Sequence, residues 1–427
     1  MQEHPKQSVP SEPVFAALIG IDWADAEHHV VVFATDSAQT EHAVIKNTPE
    51  TLEEWIKNLR VRFRNRPVAI CMEHARGALL HMLMAHDFIV LYPINPAMAA
   101  AYRKTFTPSQ AKDDPTDAHL LMDMLRCHRD RLTPWKPDDE LTRKIARLCE
   151  ERRHAVDLRT KLVQQLTAKL KSYYPQALDI VGDDLASVMA CDFLLAWPSC
   201  QMLRRTKPHT LRAFFYRHNC RREDTINQRL QIVAAAVPVT DDQALLEPLI
   251  ATIKMLATLI RDLTAAVERF NTMIKDAFNK HPDAYIFQSF PGAGDAIAPR
   301  LLSAFGSDRS RYQQVAQIQQ YSGVAPITER SGKSLWIHRR WQCPKFLLQT
   351  FHEFAGHSIT WSKWAKAYYN LYKGKGKTHH VIVRALAFKW LRIIFACWQN
   401  RTPYNEDLYI DSLKRSHSPL YQLITAS

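Results

Sequence analysis

The sequence predicts an α/β domain at its amino-terminal end and a mainly helical remainder. Two patterns carry that division. Between residues 16 and 94 short β-branched runs alternate with helically spaced stretches, whereas from residue 141 the apolar residues recur at steps of three and four. A third observation concerns the partner. Fifty-six Lys and Arg against 43 Asp and Glu leave a formal charge of +13 over 427 residues. The excess is spread over residues 143–171, 204–229, 300–311 and 333–389, so a polyanionic partner is implied.

The first element climbs through Leu18, Ile19, Gly20 and Ile21 to a single carboxylate, Asp22. A strand buried on both faces has no reason to carry an acid, so Asp22 belongs at a wet end or beside a cation. Two further strands are expected over 27–34 and 40–45, separated by the polar turn Thr35-Asp36-Ser37. Thr48 followed by Pro49 is a helix start, and Leu52, Trp55, Ile56 and Leu59 continue at helical spacing. Residues 67–72 form a fourth strand that runs into Glu73, 78–86 a helix, and 88–92 a fifth strand before Pro93 and Pro96. Three strands, helix, strand, helix, strand, helix is the order of the RNase H-like fold, in which strands one and four are neighbours. Asp22 and Glu73, just past those two strands, are therefore expected to converge.

Asp114-Pro115-Thr116-Asp117 opens the next helix with a cap, a proline at the first helical position and an acid in the place of a capping box. Local chemistry alone favours capping. The same geometry puts both carboxylates at one helix end, close enough for a common ion, while Asp113 reads as a solvated neighbour.

Two long helices follow. Residues 141–173 are basic, with Leu148, Leu158, Leu162, Leu166 and Leu170 on one side. Residues 248–277 carry Leu249, Ile253, Leu256, Ile260, Leu263, Val267, Phe270 and Ile274 in alternating steps of four and three, a heptad pattern. An antiparallel pair within one chain competes with a dimerising coil, and the regularity favours self-association. Residues 175–242 between them read as a helical insertion with a small core and a basic rim around Phe214-Phe215-Tyr216-Arg217-His218.

Pro291-Gly292-Ala293-Gly294 before a helix reads as the hairpin of a helix-hairpin-helix unit, whose backbone N–H groups at Gly292 and Gly294 would meet a phosphate, with Arg300 close by. Tyr321-Ser322-Gly323-Val324-Ala325-Pro326 leads on to Arg330-Ser331-Gly332-Lys333-Ser334, a basic loop in which a serine beside glycine is most simply a turn former. Trp336, Trp341, Trp361, Trp364 and Trp390 read mostly as core.

Eight scattered cysteines without a Cys-x-x-Cys pair argue for reduced thiols and against a zinc ribbon. No signal-peptide pattern opens the chain, and the apolar stretch 385–398 is broken by Lys389 and Arg392. A cytoplasmic protein without a membrane span is expected.

Gly20-Ile21-Asp22, Glu73, Asp114 and Asp117, the hairpin at Pro291, and Gly323-Val324 with Pro326 followed by Ser331-Gly332 occur in an order that resembles the DEDD insertion-sequence transposases. These are relatives of the Piv and MooV invertases and include bridge-RNA-guided recombinases. The likeness spans residues 15–403 and departs at His74-Ala75-Arg76-Gly77, where many relatives have Thr-Gly. It implies a RuvC-like catalytic domain over 15–140 after a tail at 1–14, and a coiled-coil linker over 141–285. A transposase domain with a catalytic serine over 286–403 and a tail at 404–427 would complete the chain. Carried over by position, the catalytic acids are Asp22, Glu73, Asp114 and Asp117, and the nucleophile is Ser331, flanked by Arg330 and Lys333. Mg²⁺ or Mn²⁺, DNA, a guide RNA and a homodimer or homotetramer are implied with them.

The chemistry is consistent with that set. Four crowded carboxylates repel unless divalent cations sit between them, and hard oxygen ligands suit Mg²⁺. A phosphoserine link would conserve phosphodiester energy. Actin-like ATPases also begin Gly-Ile-Asp but need a phosphate loop where Trp23-Ala24-Asp25-Ala26-Glu27 supplies acids. A junction-resolving nuclease or an unguided invertase is the nearer rival, and a catalytically dead repressor should have lost acids.

Overall fold

The computed structural model describes residues 14–73, 77–106 and 114–425. The chain divides into two units, Met1–Pro137 and Asp138–Ser427.

In the first unit β1 (Ala17–Asp22), β2 (Glu27–Ala34) and β3 (Gln39–Lys46) form an antiparallel meander. The next element, α1 (Pro49–Arg62), starts as its sequence dictates: the Thr48 hydroxyl accepts from the Thr51 amide, with Pro49 in the first turn. Then come β4 (Val68–Glu73), α2 (Ala78–Leu83), β5 (Ile89–Ile94), α3 (Pro96–Phe106) and α4 (Asp114–His128). The sheet order is β3-β2-β1-β4-β5, with β1, β4 and β5 parallel.

Strand alternation divides the core. Ile19, Ile21, Ile70 and Met72 pack beside Leu52, Ile56 and Leu59 of α1, while Leu18, Ala69 and Cys71 meet Ala118, Leu121, Met122 and Leu125 of α4. Each of the three α1 residues is buried, a contribution of about 2 kcal/mol apiece. Gly20 lies where α4 crosses β1. A Cβ there would stand 2.0 Å from the Ala118 carbonyl oxygen and 2.4 Å from the Met122 amide nitrogen. Only glycine lets this helix lie on this strand.

The second unit is built on α5 (Glu140–Tyr173) and, after five short helices, α11 (Gln243–Phe278). The short ones are α6 (Gln176–Val181), α7 (Val188–Ala196), α8 (Cys200–Arg204), α9 (Pro208–Arg217) and α10 (Glu223–Ala235). The long helices run antiparallel: Arg159 Nη1 donates to Thr264 Oγ1 at 3.3 Å, and Arg152 Nε to Asn271 Oδ1. Ile253, Leu256 and Ile260 share a core with Leu166 and Leu170, and Ile274 one with Ile145 and Leu148. The heptad seam is thus used within the chain and carries no argument for a dimer. It is also the one described helix apolar and long enough to cross a membrane, but its apolar seam faces α5. Phe214 and Phe215 are buried with Tyr174, Phe193 and Trp197, and Tyr216 is exposed on the rim.

The remaining elements are α12 (Ala284–Gln288), α13 (Gly294–Phe305), α14 (Val315–Tyr321), the hairpin β6 (Ile327–Ser331) and β7 (Ser334–His338), α15 (Lys345–Trp361), α16 (Lys363–Gly374), α17 (His379–Asn400), α18 (Glu406–Arg415) and α19 (Pro419–Thr425). Their centre is Trp364, Trp390 and Trp398, whose indole N–H groups donate to Tyr404 Oη, Ser358 Oγ and the Gly306 carbonyl at 2.8–2.9 Å. Two expectations are corrected. Residues 404–425 are not a tail, because Leu413 and Leu420 are buried in this core. Trp336, Trp341 and Trp361 are 49%, 67% and 69% exposed and lie outside it.

Candidate active site

Ile21 of β1 lies opposite Met72 of β4 in a parallel register, so Asp22 and Glu73 follow on adjacent strands, roughly 4.8 Å apart in backbone. Ile21 and Met72 belong to the α1 side; alternation turns the next residue of each strand to the α4 side. The close crossing at Gly20 brings in α4 by its Ala118 carbonyl, and Asp117 is the residue before. Asp117 and Glu73 line one cleft with Arg103, floored by Ala99, Leu121 and Met124. Three of the four expected acids therefore reach one end of one sheet. The Asp114 backbone opens α4, but its side chain, Asp113 and the loop 74–76 lie outside the described residues.

Asp117 is only 4% exposed and both its oxygens are engaged. Arg103 of α3 donates Nε–H to Oδ1 at 2.5 Å and Nη2–H to Oδ2 at 2.6 Å. Sequence reasoning missed Arg103; a basic residue in the last turn of a helix has no spacing that ties it to an acid fourteen positions on. Among the described residues no three His, Cys, Asp or Glu side chains come together closely enough to hold a metal ion. The donors still fit one in type, hard carboxylate oxygens on adjoining elements. In this structure a guanidinium supplies the positive charge that Asp117 requires in a buried place.

Ser331 ends β6 and Ser334 begins β7; the two are cross-strand partners, joined by Gly332-Lys333. Gly332 adopts φ +57, the left-handed conformation that a two-residue hairpin turn requires. Ser331 does flank a turn, and the turn presents its hydroxyl. Both serines, Arg330 and Lys333 are exposed. Across the hairpin, His338 Nε2 lies 3.5 Å from Glu329 Oε2.

The Pro291 turn joins α12 to α13 as the sequence predicts. Gly292 has φ +78, and a Cβ on it would lie 3.0 Å from Trp361 Cδ1 and 3.1 Å from the His357 carbonyl. Gly294, at φ +52, opens α13 with nothing near it. Arg300 is corrected: it is 6% exposed, donates Nε–H to Thr350 Oγ1 at 3.1 Å and pairs with Glu353 at 2.5 Å. A guanidinium so enclosed faces no nucleic acid. Arg309 and Arg311 are likewise engaged, by Asp283 and Asp138 at 2.6 Å.

Two family models match the chain. A DEDD-type IS110 model, described as Transposase, covers residues 19–175, and one described as Transposase IS116/IS110/IS902 family covers 284–370. The chain is 28% identical over 425 residues to a mini-circle putative transposase for IS117 from Streptomyces coelicolor, across 96% of this chain and 99% of the relative. An IS900 insertion-element protein of Mycobacterium paratuberculosis is 25% identical, across 92% and 98%. An IS116 protein of Streptomyces clavuligerus is 24% identical, across 90% and 94%. The first model contains Asp22, Glu73, Asp114 and Asp117, and the second contains Ser331 and the Pro291 hairpin. A DEDD transposase domain implies dependence on a divalent metal, and a transposase cuts and recombines DNA. The chain belongs to the IS110 family of DEDD transposases.

Proposed function

We propose that this transposase exchanges DNA strands through a serine-linked intermediate, with an RNase H-like acidic site holding Mg²⁺ or Mn²⁺. The observation that carries the reading is the hairpin, which places Ser331 at an exposed tip between Arg330 and Lys333. Ser331 Oγ attacks phosphorus, a P–O bond of the strand breaks, and the departing oxygen takes a proton. A hydroxyl of the second strand then attacks the phosphoserine, restoring the serine and a phosphodiester without ATP. In this reading Asp22, Glu73, Asp114 and Asp117 would hold the metal, and the sheet order β3-β2-β1-β4-β5 supports an RNase H-like reading of their domain. When bound, metal ions stabilise the attacking and leaving oxygens of such a displacement. Gly292 and Gly294 offer backbone N–H groups to phosphate, and Arg330 and Lys333 offer charge.

A net +13 charge suits DNA and a guide RNA alike, and exchange between two duplexes calls for more than one active subunit, a dimer or tetramer. RNase treatment that leaves site-specific recombination unchanged would remove the guide from this reading.

The test is a nicked DNA substrate incubated with the protein and metal, then denatured. A covalent DNA–protein adduct that maps to Ser331 is expected. Ser331→Ala should lose the adduct and strand exchange, whereas Ser334→Ala, its cross-strand partner, should keep both. Absence of an adduct in the unaltered protein would return the chemistry to metal-activated water. Asp22→Asn and Glu73→Gln should abolish cleavage and leave DNA binding intact.

A further inference from the structure

The Gly323-Val324-Ala325-Pro326 segment is a motif that the strand chemistry does not use. It packs against the turn after β7: Gly323 has φ +76, and a Cβ there would lie 2.3 Å from Cys343 Sγ, whose thiol meets the Arg340 carbonyl at 3.7 Å. Glycine is required so that the 323–326 segment and the 340–343 turn can touch. Between them opens a cavity of about 110 Å³, lined by Gly323, Val324, Pro326, Ile337, His338, Arg339, Arg340 and Arg384. That is room for several waters, at roughly 30 Å³ each.

Three arginines line this space and no acidic residue does. The nearest acid on the hairpin, Glu329, is taken up with His338 at 3.5 Å. Arg340 Nε is buried without a hydrogen-bond partner, an arrangement that costs free energy unless something accepts from it. Arg339 is anchored by its guanidinium 4.7 Å above the Trp341 ring, an indole that is itself 67% exposed. Burial, and after it the charge of Arg339, holds Arg384 below the ordinary arginine range. Like charges gathered around an open cavity, with an unsatisfied donor in its wall, form a receptor for an anion.

We propose that this cavity holds a backbone phosphate of the DNA strand, separate from the phosphate presented to Ser331. His338 pairs with Ile327 at the base of the hairpin and Ser331 with Ser334 at its tip, so four strand steps, about 13 Å, separate the two positions. The cavity fixes the register of a strand whose reacting phosphate lies at the tip; the inference rests on the reading of Ser331 given above for that second position only.

Arginine-selective modification with phenylglyoxal, read by peptide mapping on the full chain, tests it. A DNA duplex should protect Arg339, Arg340 and Arg384 while exposed Arg415 reacts as before, and should do so equally in Ser331→Ala. Arg340→Gln and Arg384→Gln should each weaken DNA binding about tenfold at low salt and lower the slope of log affinity against log salt by about one. Failure of DNA to protect the three arginines, or protection by an RNA duplex and not by DNA, overturns the proposal. Protection without any adduct at Ser331 leaves the cavity standing and removes the serine; an adduct without protection does the reverse.

Discussion

At the scale of single residues, the pair formed by Arg103 and Asp117 decides the state of the acidic site. A buried carboxylate stripped of its partner is left uncompensated, at a cost of about 3–5 kcal/mol. Arg103→Gln should therefore destabilise the first unit, and a divalent metal at the same carboxylates should recover the loss by mass action. The expected measurement is a thermal midpoint that Mg²⁺ raises more in Arg103→Gln than in the unaltered protein. Equal shifts in both would mean that Asp117 meets no metal. The places of Asp22 and Glu73 at strand ends and of Asp117 in the first turn of α4 were legible in the sequence because strand ends and a helix start are local patterns, and the turn after Ser331 because glycine marks it. The surroundings of Arg103, Arg340 and Arg384 were not, since they depend on packing between elements separated in sequence. Arg300 misled for the same reason: its basic surroundings in sequence say nothing of Glu353 fifty-three positions later.

Among elements, the start of α5 is held by a chain of side-chain hydrogen bonds. Asp139 caps it, with Oδ1 accepting from the Thr142 amide at 2.9 Å and Oδ2 from the Thr142 hydroxyl at 2.6 Å. Burial raises the Asp139 carboxyl, but hydrogen bonds from Ser307 and Thr142 outweigh it and bring it down to about 2. His281 continues the chain: Nε2 lies 2.9 Å from Thr142 Oγ1, and Nδ1 accepts the Asp283 amide at 3.0 Å. Burial keeps His281 below its usual value, against the pull of Asp283 and Asp139. Its depressed folded value means that the unfolded chain binds the proton first, so this contribution is complete above about pH 6.5 and fades as pH falls through the folded value. The Asp139 contribution is present above about pH 4 and fades toward its folded value near 2. Urea midpoints should drop between pH 7.5 and 5.5, and His281→Gln should flatten that drop. Some slope will remain, because His352 is also depressed, by burial and then by His380 and Arg384. An identical drop in both proteins would clear His281 of the effect.

For the whole molecule, the sequence announced the five strands and both long helices because their periodicities are local. It did not announce where their apolar faces go. A heptad repeat specifies a partner helix without saying whose, and α5 proves to be that partner. The carboxy-terminal residues read as a tail because two short helices, α18 and α19, bury few residues each; their place is fixed by the tryptophan core beneath them.

That long pair also sets a length. The α5 helix has 34 residues, or about 51 Å, with one core near its start and another near its end. Because the seam repeats every seven residues, its span is quantised. Adding one heptad to α5 and one at the matching level of α11 would move the two cores apart by about 10.5 Å while returning every seam residue to its phase. Adding four residues to each would lengthen the pair by about 6 Å, out of phase, and rotate the insertion about the helical axis. The heptad variant should fold with native cooperativity and the four-residue variant should not, as urea titration would register. The pair behaves as a ruler graduated in whole heptads, and relatives that differ in reach are expected to differ by multiples of seven.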